Sequence, residues 1–285
     1  MRLYRYATAS GADAGVLAGD RLIPIRELAP ELAPTEAGDL DEVVQGGRLP
    51  ALAAAAGGTG AAGGLLLEEV NLLAPLVRPP KIWCIGLNYR AHAADLDAKT
   101  TATPVGFMRP NASIIGPGAE IRLPRASERV TGEGELVIVL GRSGQDIAPG
   151  DALAAVGAYT LAVDMTAEDI LRQNPRFLTR AKSFDTFLSL GPCLVTPDEV
   201  ATRESLPAVR TSTLLNGERA RSALVEAMTH PPEKLISFFS EDMTWKAGDI
   251  LLTGTPGAMV IEDGDTVGAE VEAIGRLENP VRRLG

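Results

Sequence analysis

Apolar residues in this chain come in short runs of strand length, cut apart by glycine, proline and asparagine. Beyond residue 80 the runs predict strands at Lys81–Gly86, Val105–Met108, Glu135–Leu140, Ala158–Val163, Val209–Leu215, Ile250–Thr253 and Thr266–Ala273. Asn216-Gly217 is a hairpin-turn signal. Helices are few: Ala91–Leu96, a segment after Pro149, one starting near Thr166, and Pro232–Phe239. Thr166-Ala-Glu-Asp169 has the form of a capping box, which would start the third of these at Thr166.

The first 77 residues have a different texture. Met1–Ala7 and Arg21–Ile25 read as strands joined through the Gly/Asp-rich stretch Gly11–Asp20, with helices at Leu40–Val44 and Leu49–Ala56. Residues 51–64 are alanine- and glycine-biased, as a surface connection would be. Arg78-Pro79-Pro80 then makes a stiff junction. The expected organisation is a small N-terminal α+β unit, residues 1–77, followed by a β-dominated α+β domain, residues 78–285.

Composition narrows the function classes. The chain has 285 residues, 45% hydrophobic and 22% charged, with a formal net charge of -10. That charge repels phosphate backbones and anionic lipid, so neither nucleic acid nor a membrane surface is an expected partner. No signal-peptide core or membrane-spanning run is visible. The two cysteines, Cys84 and Cys193, lie in apolar strings and read as buried free thiols, which fits a cytoplasmic protein. With two histidines in all, a zinc site is not expected.

Four places could carry chemistry. Glu133-Gly134-Glu135 runs into the strand LVIVLG, and residues two apart on a strand face the same way, about 6.6 Å apart along the chain. Two carboxylates beside a buried run need cations or a metal, unless this is a solvated strand edge. Asp164 ends the next apolar strand. The three together would make an all-oxygen site suited to Mg²⁺, Mn²⁺ or Ca²⁺. His92 precedes Asp95 by three residues; on a helix the pair shares a face, either as an oriented general base or as a surface pair. His230 lacks such a neighbour and reads as a surface-loop residue. Lys182, in AKSFDTF, is either a snorkelling lysine or a buried charge with a task. Thr253-Gly-Thr-Pro-Gly257 is either a bare turn or a place where backbone N–H groups and the Thr255 hydroxyl meet a carboxylate ligand.

Taken in order, KIWCIGLNYRAHAAD, FMRPNASIIGPG, EGELVIVLG, YTLAVDMTAED, AKSFDTFLSLGP, LLNGE and GDILLTGTPG resemble the fumarylacetoacetate hydrolase family from about Pro80 to the C-terminus. The resemblance implies a mixed β-sandwich roll as catalytic domain, a homodimer, and a divalent metal, mostly Mg²⁺ or Mn²⁺, on Glu133, Glu135 and Asp164. It further implies His92 and Lys182 as catalytic residues, with Asp95 where the histidine's partner is typically Glu. Thr255 would line the substrate site, and Arg90 and Arg109 would contact a substrate carboxylate.

Two departures concern the substrate. Many members carry Arg and Gln where this chain has Glu168 and Leu171, and the Glu168 carboxylate would disfavour long dianionic substrates by repulsion. The expected activity is metal-dependent hydrolysis of a C–C bond in a small acylpyruvate or diketo acid through a stabilised enolate. Decarboxylation of a 2-oxo acid such as oxaloacetate, isomerisation of an unsaturated one, or binding of an anionic oxo acid without turnover are the alternatives.

Overall fold

The computed structural model describes residues 1–57, 63–95, 101–202 and 204–284. Among them, thirteen strands form one large mixed sheet and five form a smaller one. The centre of the large sheet runs, in spatial order, through Arg2–Thr8, Leu188–Val195, Val156–Ala167, Val130–Leu140, Ile250–Leu252, Ile82–Gly86 and Val105–Met108. This is the expected β-dominated α+β class. No described helix is long and apolar enough to cross a membrane.

Strand Val130–Leu140 shows why its apolar run is unbroken. Leu136, Ile138 and Leu140 enter a core shared with the smaller sheet, while Val137 and Val139 enter a second core containing Leu40, Val43 and Leu52 of the N-terminal helices. A strand covered on both faces needs apolar residues at every position. At its start the same alternation puts Thr131, Glu133 and Glu135 on one face and Gly132 and Gly134 on the other. A Cβ on Gly134 would lie 2.5 Å from the Ser212 carbonyl oxygen, so only glycine lets the smaller sheet close against the strand there.

The N-terminal residues extend the large sheet. Arg2–Thr8 pairs antiparallel with Leu188–Val195, with Arg2 opposite Val195 and Leu3 opposite Leu194. Gly11–Ala18, read from sequence as a connection, is a strand, because full pairing with Arg2–Thr8 and burial of Ala14 and Val16 outweigh its low intrinsic propensity. Strand Arg21–Pro24 stops one residue short of the expected end, and helix Ile25–Leu28 follows. Helix Leu49–Ala56 forms as expected; residues 58–62 of the alanine/glycine stretch lie outside the described residues. Asn216-Gly217 joins the hairpin strands Arg210–Leu215 and Glu218–Leu224.

Two further expectations need correction. Strand Val156–Ala167 runs through Thr166, and helix Glu168–Gln173 begins after it without a side-chain cap. The Thr166 hydroxyl instead donates to Glu133 Oε1 at 3.0 Å, and Asp169 accepts from Ser127 and the Glu128 N–H. A cross-strand carboxylate outcompetes the local cap. The segment after Pro149 is only a 3₁₀ turn, Ala152–Ala155. Helix Arg90–Asp95 contains His92; Leu96, its expected end, lies outside the described residues.

Candidate active site

Register builds the site. In the antiparallel pair Val130–Leu140 and Val156–Ala167, Glu133 stands directly opposite Asp164 and Thr131 opposite Thr166. Directly opposed side chains lie on the same face within contact distance. Glu135, two residues from Glu133, shares that face and lies diagonal to Asp164. The result is three carboxylates whose oxygens all fall within 4.8 Å of one another. On the other side of Glu133 its cross-strand neighbour is Ala258, whose small side chain leaves the cavity open.

The carboxylates are held by different groups. Glu135 accepts from the Gly254 N–H at 2.7 Å, delivered by the turn after Ile250–Leu252. That turn needs glycine: φ is +94°, and a Cβ would lie 2.9 Å from Asn88 Cβ. Glu133 accepts from Thr166, and Lys182 Nζ lies 3.2 Å from Glu133 and 3.0 Å from Asp164. Lys182 closes helix Leu178–Lys182 and sits 5.4 Å over the Phe107 ring. Of the two roles open to it from sequence, it takes the buried one.

Burial, then repulsion from Asp164 and Glu133, pushes the Glu135 carboxyl well above its usual range. Burial works against the Lys182 charge, but Asp164 and Glu133 outweigh it and hold the ammonium above its ordinary value. An all-oxygen, anion-rich trio of this kind fits a hard divalent cation, so the donor set is one that could hold a metal.

Arg109, expected to touch substrate, is buried behind the site. Its guanidinium donates to Asp164 Oδ1 and to the carbonyls of Lys182 and Phe187. It fixes Asp164 and the end of the lysine helix, and it is off the cavity wall. Removing one member of a buried pair costs roughly 3–5 kcal/mol, an upper bound here because Asp164 would keep Lys182 at 3.0 Å. Arg109→Met should therefore lower unfolding free energy in metal-free urea titrations by up to that much; a loss under about 1 kcal/mol would contradict this role.

A cavity of about 750 Å³ opens over the carboxylates. Its sides are apolar, with Leu87, Phe107, Leu171 and Leu178 among them, and Thr255 also lines it. His92 and Asp95 both line it too, but no hydrogen bond joins them. The His92 ring is buried with Nδ1 unpartnered, while the half-exposed Asp95 carboxylate lies 3.8 Å from Arg221 Nε. Sharing a face of a six-residue helix is not enough when a neighbouring strand offers the carboxylate a guanidinium. Arg90 is exposed and away from the cavity. His230 is buried rather than in a surface loop: its N–H donates to Asn88 Oδ1 at 2.9 Å, and Nε2 lies 3.1 Å from the Thr101 carbonyl oxygen.

Glu168 lines the cavity but is not a bare negative charge. It ion-pairs with Arg129 Nε and, at 3.0 Å, with Arg172 Nη2. The i,i+4 spacing of Glu168 and Arg172 was legible in sequence; Arg129, far along the chain, was not. Thr131, two residues before Glu133, was findable by the same alternation that placed the carboxylates.

Residues 81–282 match the family model described as fumarylacetoacetate (FAA) hydrolase C-terminal. The mitochondrial oxaloacetate tautomerase FAHD2A of Homo sapiens is 37% identical over 223 residues, covering 75% of this chain and 70% of that protein. The structure of 5-carboxymethyl-2-hydroxymuconate delta-isomerase from Mycobacterium smegmatis superposes with a TM-score of 0.76 at 34% identity, over 100% of both chains. The fumarylacetoacetate hydrolase of Exiguobacterium antarcticum does so with a TM-score of 0.81 at 29% identity, again over 100% of both. Family match, fold and carboxylate trio agree: this chain belongs to the fumarylacetoacetate hydrolase family, which includes tautomerases, isomerases and hydrolases.

Proposed function

We propose that this chain interconverts the enol and keto forms of a small 2-oxo dicarboxylic acid, oxaloacetate being the first candidate, with Mg²⁺ or Mn²⁺ as cofactor. The observation that carries the reading is the buried trio of Glu133, Glu135 and Asp164 with Lys182 against it, open to an apolar-walled cavity. Kinship to a protein named a tautomerase and to one named an isomerase supports the reaction class, since neither word implies an attacking water.

Glu133, Glu135 and Asp164 would hold the cation, which when bound supplies Lewis-acid stabilisation of negative charge on a substrate oxygen. Lys182 adds fixed positive charge at the same end of the cavity, already oriented before substrate arrives. Ketonisation moves one proton from the enol oxygen to the neighbouring carbon, with the C=C electron pair taking up that proton. His92, whose side chain lines the wall, is the group that carries it. Thr255 lines the cavity from the turn that also supplies the Gly254 N–H, with its hydroxyl held inside that turn by donation to the Gly257 carbonyl at 3.1 Å.

A second reading, hydrolysis of a C–C bond in a 3-acylpyruvate, draws on the same imidazole as a base for water. It ranks second because the Asp95 contact that would orient such a base is not made. The test is a paired assay with Mg²⁺: decay of the enol absorbance of oxaloacetate, and release of pyruvate from acetylpyruvate. The account expects ketonisation to be the faster reaction, and His92→Ala to slow it by about 10²–10⁴-fold. Faster acetylpyruvate cleavage would make hydrolysis the function, release of CO₂ from oxaloacetate would make it a decarboxylase, and acceleration of none would leave a binding protein.

A further inference from the structure

Among the described cavity-lining residues, two carry a full positive charge: Lys182 at the floor and Arg172 at the side. Lys182 is committed to two carboxylates. Arg172 is not neutralised in the same way. Its one ionic partner among the described residues, Glu168, is shared with Arg129, so the three side chains together carry a net charge of +1. Glu168 is largely buried whereas the Arg172 side chain is 62% exposed. The carboxylate is thus the fixed member, and the arginine is the mobile group it steers. The contact uses Nη2 at 3.0 Å, and the rest of the guanidinium fork remains available to a ligand. The walls between floor and side are hydrocarbon, with Leu171 and Leu178 on the helices that carry Arg172 and Lys182.

We infer that Arg172 is a specificity-determining residue that receives the far carboxylate of a dicarboxylic substrate, and that Glu168, itself balanced by Arg129, is a positioning residue for it. The inference deepens the proposed function and rests on its reading of a 2-oxo acid at the floor of the cavity. It also reverses the expectation that Glu168 repels dianions. On a chain of net charge -10, the Arg129–Glu168–Arg172 group puts one net positive charge beside the cavity, where it attracts the far carboxylate of a dianion.

The experiment is calorimetric binding, with Mg²⁺ present, of two isosteric pairs in which a methyl group stands where the far carboxylate would be. These are oxaloacetate against 2-oxobutyrate and, for a longer reach, 2-oxoadipate against 2-oxohexanoate. Wild-type chain should prefer the dianion in at least one pair by about tenfold or more, the range of a charge-assisted hydrogen bond. Arg172→Ala should bring that ratio towards one, and Arg172→Lys should restore part of it. Arg172 is exposed and outside both cores, and a melting curve on each variant verifies the fold. Ratios unchanged by Arg172→Ala in both pairs would overturn the inference and leave the proposed function standing. Failure of wild-type chain to bind any of the four acids would overturn both.

Discussion

Alanine at Glu135 is expected to lower Mg²⁺ and Mn²⁺ affinity by more than about 10²-fold, since loss of outer-shell partners alone costs 10–100-fold. Glu135 is the most buried of the two strand glutamates, its Oε2 fixed by the Gly254 N–H while its carboxyl stays within 4.8 Å of the other two. Removing it leaves two oxygen donors, both engaged by Lys182. The metal-free fold should survive, because repulsion from Glu133 and Asp164 disappears with the charge. Calorimetry gives the affinity directly. Thermal unfolding gives an independent reading: Mg²⁺ should raise the melting temperature of wild-type chain, by mass action on the folded state, and leave Glu135→Ala unmoved. An affinity within threefold of wild type would remove Glu135 from the donor set.

Lys182→Ala should act in the opposite sense on metal and on rate. The ammonium competes with any cation for Glu133 and Asp164, so its loss should leave divalent affinity unchanged or improved. The rate should nonetheless fall by about 10²–10³-fold, the usual cost of removing one preorganised charge aimed at a developing anion. Stability should fall as well in the absence of metal, because two buried carboxylates lose a partner. Added Mg²⁺ should recover the stability and not the rate. A variant whose rate returns with excess metal would reduce Lys182 to a stand-in for the ion.

Much of this site was readable in the chain because strand geometry is local. Alternation places Glu133 and Glu135 on one face, and the burial of the LVIVL run predicts that neighbouring carboxylates need cations. The pairing of Glu133 with Asp164 is a matter of register between two strands that follow one another in sequence. What escaped was long-range. Nothing local says that Arg109 would lie behind Asp164 rather than in front of it, since the guanidinium reaches carbonyls of residues 182 and 187. Arg129, Arg221 and Gly254 enter for the same reason. The capping box at Thr166 failed because a partner 33 residues away offered the hydroxyl a better acceptor. Gly11–Ala18 was hidden because glycine and aspartate mark turns until a paired strand overrides them. The two cysteines, both buried and free, needed only their apolar neighbours to be placed.

The central claim is that one buried trio and one lysine run enol–keto chemistry on a 2-oxo acid. The most direct measurement is the decay of the enol absorbance of oxaloacetate in the presence of Mg²⁺, for wild-type chain, Glu135→Ala and Lys182→Ala, each against the same buffer and metal without protein. The account predicts a clear acceleration by wild-type chain, abolished in Glu135→Ala and reduced about 10²–10³-fold in Lys182→Ala. Decay equal to the protein-free control for wild-type chain, or equal rates for all three proteins, would contradict it.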